Sequence, residues 1–168
     1  MIYRLVVMRH AKSSWKTGEQ DHSRPLSRRG MKDAPNVAGA LVSRDWVPEL
    51  VLSSDSERTR QTWTHMAPVF GRDVFIEYRA DFYLAGLHNV AERIETVPSD
   101  VLTLLVLGHN PGWEEAVYAL SGQPIQMTTA NAVLLQTEAD SWAEAIHGPV
   151  WSMVDVIRPR PPQVATPR

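Results

Sequence analysis

VLTLLVL, residues 101–107, is the stretch that decides the fold. Its aliphatic side chains fall on successive positions, so a strand built from it is apolar on both faces. That pattern predicts a central strand of a parallel sheet covered by helices above and below. Outward from it, IYRLVVM (2–8) and ELVLS (49–53) predict two more buried strands, and 74–77 a short one. Helical periods separate them. A helix is expected over 33–44, with Asp33 as N-cap and Pro35 in the first turn. Ser54-Asp55-Ser56-Glu57 matches a capping box and opens a second helix to about residue 69. Residues 87–96 and 111–120 predict two further helices, the latter with Pro111 at its first position. Two late runs, 131–137 and 150–157, read as closing strands with antiparallel pairing. The alternation implies one α/β domain, a three-layer sandwich with a mostly parallel central sheet and helices on both faces. The domain is expected over 1–157, followed by a proline-rich tail at 158–168.

Composition narrows the function classes. Seventeen Lys and Arg stand against nineteen Asp and Glu, a formal net charge of −2, which gives no general attraction to nucleic acid or anionic membrane. The absence of cysteine removes disulfides, thiolate catalysis and Cys-rich zinc sites. No apolar run approaches the about 20 residues of a membrane span, and the opening residues lack the pattern of a signal peptide. Cytoplasmic residence is therefore the expectation.

In open parallel sheets, ligands bind beyond the carboxyl ends of the strands. Three such ends carry polar groups: Met8-Arg9-His10, Ser53-Ser54 with the helix bearing Arg58, and Gly108-His109-Asn110. If these strands are neighbours, two imidazoles and two guanidinium groups share one rim. That set suits a phosphoryl group, because guanidinium forks match its oxygens and a neutral imidazole is a competent acceptor. Each residue alone reads more readily as a surface or capping group, and Gly30 and Gly108 need only mark turns. No His-x-x-x-His or His-x-His spacing favours a metal site.

These residues carry a resemblance. Met8-Arg9-His10-Ala11-Lys12 resembles the Arg-His-Gly motif of the histidine phosphatase superfamily, with the phosphoglycerate mutase-like fold. Alanine after the histidine is shared by members of its SixA-like branch. Asp21-His22-Ser23-Arg24-Pro25-Leu26, Arg29-Gly30, Leu52-Ser53-Ser54 with Arg58 and Gln61-Thr62, and Leu107-Gly108-His109-Asn110-Pro111 continue it in family order over roughly 2–120.

The resemblance implies that His10 is the nucleophile, that Arg9 and Arg58 clamp the phosphoryl oxygens, and that His109 donates to them. Arg24 matches a basic substrate-binding residue of the branch. No cofactor or metal is implied. Glu77 and Asp81 stand where many members carry a general acid, without matching its motif. The implied substrate is a phosphorylated protein, with phosphohistidine favoured because its nitrogen leaving group arrives already protonated; a small phosphorylated molecule is the alternative. A non-catalytic phosphate-binding module and a metal-dependent hydrolase are competing classes. Arg60 is expected to face solvent, exchanging roles with Arg58 if the helix starts later. Lys12, Ser13, Ser14 and Trp15 could wall the site, or Trp15 could pack on the core. His22, His65, His88 and His147 are read as surface or structural, and Trp63 and Met66 as core.

Overall fold

The computed structural model describes residues 1–159. Six strands, β1 (Ile2–Arg9), β2 (Leu50–Ser54), β3 (Phe75–Arg79), β4 (Thr103–Gly108), β5 (Ala132–Glu138) and β6 (Ser152–Ile157), form one sheet in the order β3-β2-β4-β1-β5-β6. The first four are parallel, and β5 and β6 close the sheet antiparallel, as the sequence predicts. Five helices among the described residues cover it: α1 (Arg28–Ser43), α2 (Glu57–Met66), α3 (Leu87–Ile94), α4 (Gly112–Ser121) and α5 (Trp142–His147).

The period of two along each strand sorts the core into two layers. Leu5, Val7, Leu104 and Val106 face Val90, Ile94, Trp113 and Trp142, on the side of α3, α4 and α5. Val6, Met8, Leu105 and Leu107 face Val37, Leu41, Trp63 and Met66, on the side of α1 and α2. Both faces of β4 are thus sealed, and each such aliphatic side chain contributes about 1.5–3 kcal/mol by leaving water. Trp113 and Trp142 also give their indole N–H groups to Val106 and Val101 carbonyls at 3.2 and 2.6 Å.

Three expectations need correction. α1 starts at Arg28, not at Asp33: Ser27 is its N-cap and accepts the N–H of Gly30 at 3.2 Å. Pro35 therefore lies inside the helix, and Asp33 is a buried residue 3.4 Å from Arg29. The cap of α2 is Ser56, which accepts from Thr59 N–H, while Ser54 still belongs to β2. That helix ends at Met66 and tightens into a 3₁₀ turn over Ala67–Phe70. α5 was not foreseen, since Trp142 and Ile146 mark only one turn of helical spacing. Of the proline-rich tail, residues 160–168 lie outside the described residues.

Candidate active site

β1 and β4 are adjacent, parallel and in a register that sets Arg9 opposite Gly108. The next residues are His10 and His109, and the pairing continues one step further as His10 N–H donates to the Gly108 carbonyl at 3.0 Å. Two imidazoles thereby leave the sheet side by side, with ring centroids 5.4 Å apart. Both are buried, at 6% and 1% exposure.

Their hydrogen bonds fix which nitrogen carries the proton. His10 Nδ1 lies 2.7 Å from the Ala11 carbonyl, which can only accept, so Nδ1 bears hydrogen and Nε2 is bare. Arg58 Nε donates to that bare Nε2 at 3.3 Å. Arg58 Nη2 also lies 3.3 Å from His109 Nδ1, which makes Nδ1 the acceptor and leaves Nε2–H to donate to Ser54 Oγ at 2.8 Å. Burial, reinforced at His10 by His109, Arg58 and Arg9 and at His109 by Arg58, lowers the pKa of each imidazole to about 3. Both rings are neutral at physiological pH.

Arg58 is 2% exposed and faces inward, because its helix is capped two residues earlier. Arg60, two residues on, is exposed and lies over the Tyr78 ring at 4.1 Å. Arg24 is also buried, with Nη1 donating to Ser13 Oγ at 2.7 Å. Arg9 Nη1 donates to the Met127 carbonyl at 3.0 Å, while its Nε, buried, has no hydrogen-bond partner among the described residues. That leaves one buried guanidinium donor unsatisfied.

The hub of the site went unassigned in the sequence. Asp21 accepts from Arg58 Nη2 at 3.1 Å and from Arg24 Nε at 3.2 Å, its backbone carbonyl takes Arg58 Nη1 at 2.7 Å, and the Tyr83 hydroxyl donates to Oδ2. The Tyr83 hydrogen bond first, and Arg58 after it, hold the carboxyl at about 2, so Asp21 is ionised. The Tyr83 ring meets His109 edge-on at 5.4 Å and His22 at 4.8 Å. Asp21 lies three residues before Arg24, an ion-pair spacing that the sequence does display; its contact with Tyr83 spans 62 residues and has no local signal.

Glu77 and Asp81 are held elsewhere. Glu77 pairs with Arg93 at 2.7 Å and Arg79 at 3.3 Å, and Asp81 with Arg79 at 2.9 Å. Those guanidinium groups lower both carboxyl pKa values. Trp15 does not pack on the core: it is 72% exposed, with the Arg24 guanidinium 3.4 Å from its ring centre. His88 and His147 make exposed pairs with Glu92 and Glu95, and Trp63 and Met66 are core. Among the described residues no group of three or more His, Cys, Asp or Glu could hold a metal ion, and no helix is long and apolar enough to cross a membrane.

A mostly parallel sheet, two neutral imidazoles and three guanidinium groups at one rim define a phosphate-ester hydrolase. Residues 5–82 match the model of the histidine phosphatase superfamily, branch 1. An uncharacterised chloroplastic protein of Arabidopsis thaliana is 41% identical over 169 residues, covering 93% of this chain and 78% of its own. SixA from Agrobacterium tumefaciens superposes with a TM-score of 0.79 at 26% identity, over 93% of this chain and 97% of that one. The protein histidine phosphatase SixA complexed with tungstate shares the fold, at 21% identity and a TM-score of 0.79 over the same shares. The chain belongs to the histidine phosphatase superfamily, in its SixA-like branch, with the phosphoglycerate mutase-like fold.

Proposed function

We propose that the chain is a metal-independent phosphohistidine phosphatase acting on proteins, with His10 as nucleophile. The observation that carries this reading is the bare Nε2 of His10, facing Arg58 at 3.3 Å with its other nitrogen tied to Ala11. Nε2 attacks phosphorus in line, the bond to the leaving group breaks, and a phosphohistidine forms at His10. Water then attacks the same phosphorus from the opposite side, the P–N bond breaks, and inorganic phosphate leaves.

Arg58 and Arg9 neutralise the equatorial oxygens, which supplies the charge that a magnesium ion gives other phosphoryl-transfer enzymes. The open Nε of Arg9 is suited to one such oxygen. Arg24, fixed by Ser13 and Asp21, extends the positive field toward the substrate. A dianion beside His109 raises its proton affinity, and the ring then donates from Nδ1, the nitrogen that faces Arg58.

The leaving group decides the substrate class. Glu77 and Asp81 are ionised in their ion pairs, and burial raises the Tyr83 hydroxyl above its ordinary range. Proton loss from Tyr83 would also set a phenolate against the Asp21 carboxylate. None of the three is an effective acid at neutral pH. A phosphorylated imidazole needs none, because a proton on its other ring nitrogen lets the ring leave as neutral imidazole when the P–N bond breaks. A small phosphomonoester is the alternative substrate class.

Turnover of a phosphohistidine-bearing protein against a panel of sugar phosphates separates the two. The proposal expects a kcat/KM at least about 100-fold higher for the phosphoramidate. Preference for the sugar phosphates overturns it.

A further inference from the structure

The charge of this chain is nearly balanced, but its cations are not evenly placed. Residues 9–32 hold seven of the 17 Lys and Arg and two of the 19 Asp and Glu. Arg9 and Arg24 belong to the catalytic site; Lys12, Lys16, Arg28, Arg29 and Lys32 are all exposed. The fold draws them together at the rim. Ser13 and Leu26 form a bridge, Ser14 N–H donates to the Pro25 carbonyl at 2.9 Å, and Ser27 N–H donates to the Lys12 carbonyl at 2.8 Å. The loop after the nucleophile therefore lies along the entry to α1, and Trp15 stands exposed over Arg24 between them.

Helix stability argues against this arrangement. Arg28 and Arg29 are the first two residues of α1, and no acidic residue shares that turn. Cations there oppose the positive end of the helix dipole, a cost that the Arg29–Asp33 pair at 3.4 Å offsets only in part. Arg28 and Lys32 are four apart, a like-charge spacing that is unfavourable on a helix. Local unfavourable choices collected beside a reactive site are the mark of a binding surface.

We infer that the Lys12–Lys32 face docks an acidic protein surface that presents the phosphorylated side chain to His10. The inference rests on the phosphohistidine reading above and names its partner. The face adjoins the catalytic cleft, so a polypeptide crossing it delivers its phosphoryl group to the site. Trp15 supplies an aromatic anchor, and the cations steer the encounter. A nucleic acid or lipid surface matches the charge but offers no phosphoramidate.

Two synthetic peptides with one phosphohistidine each test it, one flanked by glutamates and one by glycine and serine. Wild-type enzyme is expected to favour the acidic peptide at least about fivefold in kcat/KM at low salt, and to lose the preference at high salt. The triple variant Lys16→Glu, Arg28→Glu, Lys32→Glu is expected to lose the preference while keeping wild-type turnover of an aryl phosphate. The unphosphorylated acidic peptide gives an independent readout by fluorescence anisotropy, with binding expected in wild type and abolished in the triple variant. Equal turnover of both peptides, preference surviving in the variant, or tighter binding to a DNA duplex or to phosphatidylserine vesicles than to the acidic peptide overturns the inference. Hydrolysis of neither peptide, with the acidic one still bound, sinks the phosphohistidine reading and leaves the surface standing.

Discussion

Arg58 Nε lies 3.3 Å from His10 Nε2, so a permanently charged group donates to the nitrogen of that ring left without hydrogen. A lysine could not reproduce this, since Arg58 serves both histidines and Asp21 with one planar fork. Arg58→Lys is expected to lower kcat by about 10²-fold or more, the scale of removing one fixed donor to a developing anion. Stopped-flow kinetics on an aryl phosphate measures it; a change under threefold contradicts the role.

Asp21 orients that fork. Asp21→Ala is expected to reduce kcat about tenfold or more, because Arg58 and Arg24 lose their shared carboxylate and a buried guanidinium is left partly unpaired. Tyr83→Phe removes only the hydroxyl that donates to Asp21 and is expected to cost less, about two- to fivefold. The reverse order of the two effects would point to Tyr83 as the group that acts directly.

Acid affects the fold before it affects the nucleophile. Both histidines have native pKa values of about 3, against about 6.5 in the unfolded chain, so the unfolded state binds more protons between those values. Stability is full above about pH 6.5 and falls as the pH drops toward 3, most steeply where both rings contribute. Asp21, held at about 2, adds a further loss only below its ordinary value of about 4. Urea melts across this range, compared with those of His109→Gln, test the sign: the variant is expected to show about half the slope. A stability that rises on acidification contradicts it.

Two glycines of α1 should respond in opposite directions. A Cβ at Gly30 would collide with the Lys12 carbonyl two residues beyond the nucleophile, whereas one at Gly39 meets nothing within 4 Å. Gly30→Ala is expected to destabilise by at least about 1–3 kcal/mol and to lower activity, since rigid backbone must move beside His10. Gly39→Ala is expected to stabilise by about 0.5–1 kcal/mol with no change in activity. Chemical denaturation of the two variants decides both.

The sheet was legible because its cause is local. Six aliphatic side chains in 101–107, and the same habit in 2–8, need burial on two faces, and the parallel order follows from the helices between the strands. The convergence of His10, Arg58 and His109 was legible because their strands end at one rim of such a sheet. What brings His10 and His109 to 5.4 Å is the β1–β4 register, which no stretch of sequence encodes alone. Ser54 reads as a helix cap because Glu57 follows it by three, yet its hydroxyl accepts from His109 and the cap moves to Ser56. The sequence suggests a late start for α1 because Pro35 resembles a first-turn proline, while the cap itself, Ser27, is followed by two arginines that no dipole argument would put there. Tyr83 was invisible for lack of any nearby partner in the chain.

The account stands on phosphorus becoming bonded to one nitrogen. Enzyme quenched with base during turnover of a ³²P-labelled substrate, then digested and mapped, should carry acid-labile phosphate at His10 alone, attached through Nε2, and none should appear in His10→Ala. Label on another residue, or label retained in that variant, would contradict it.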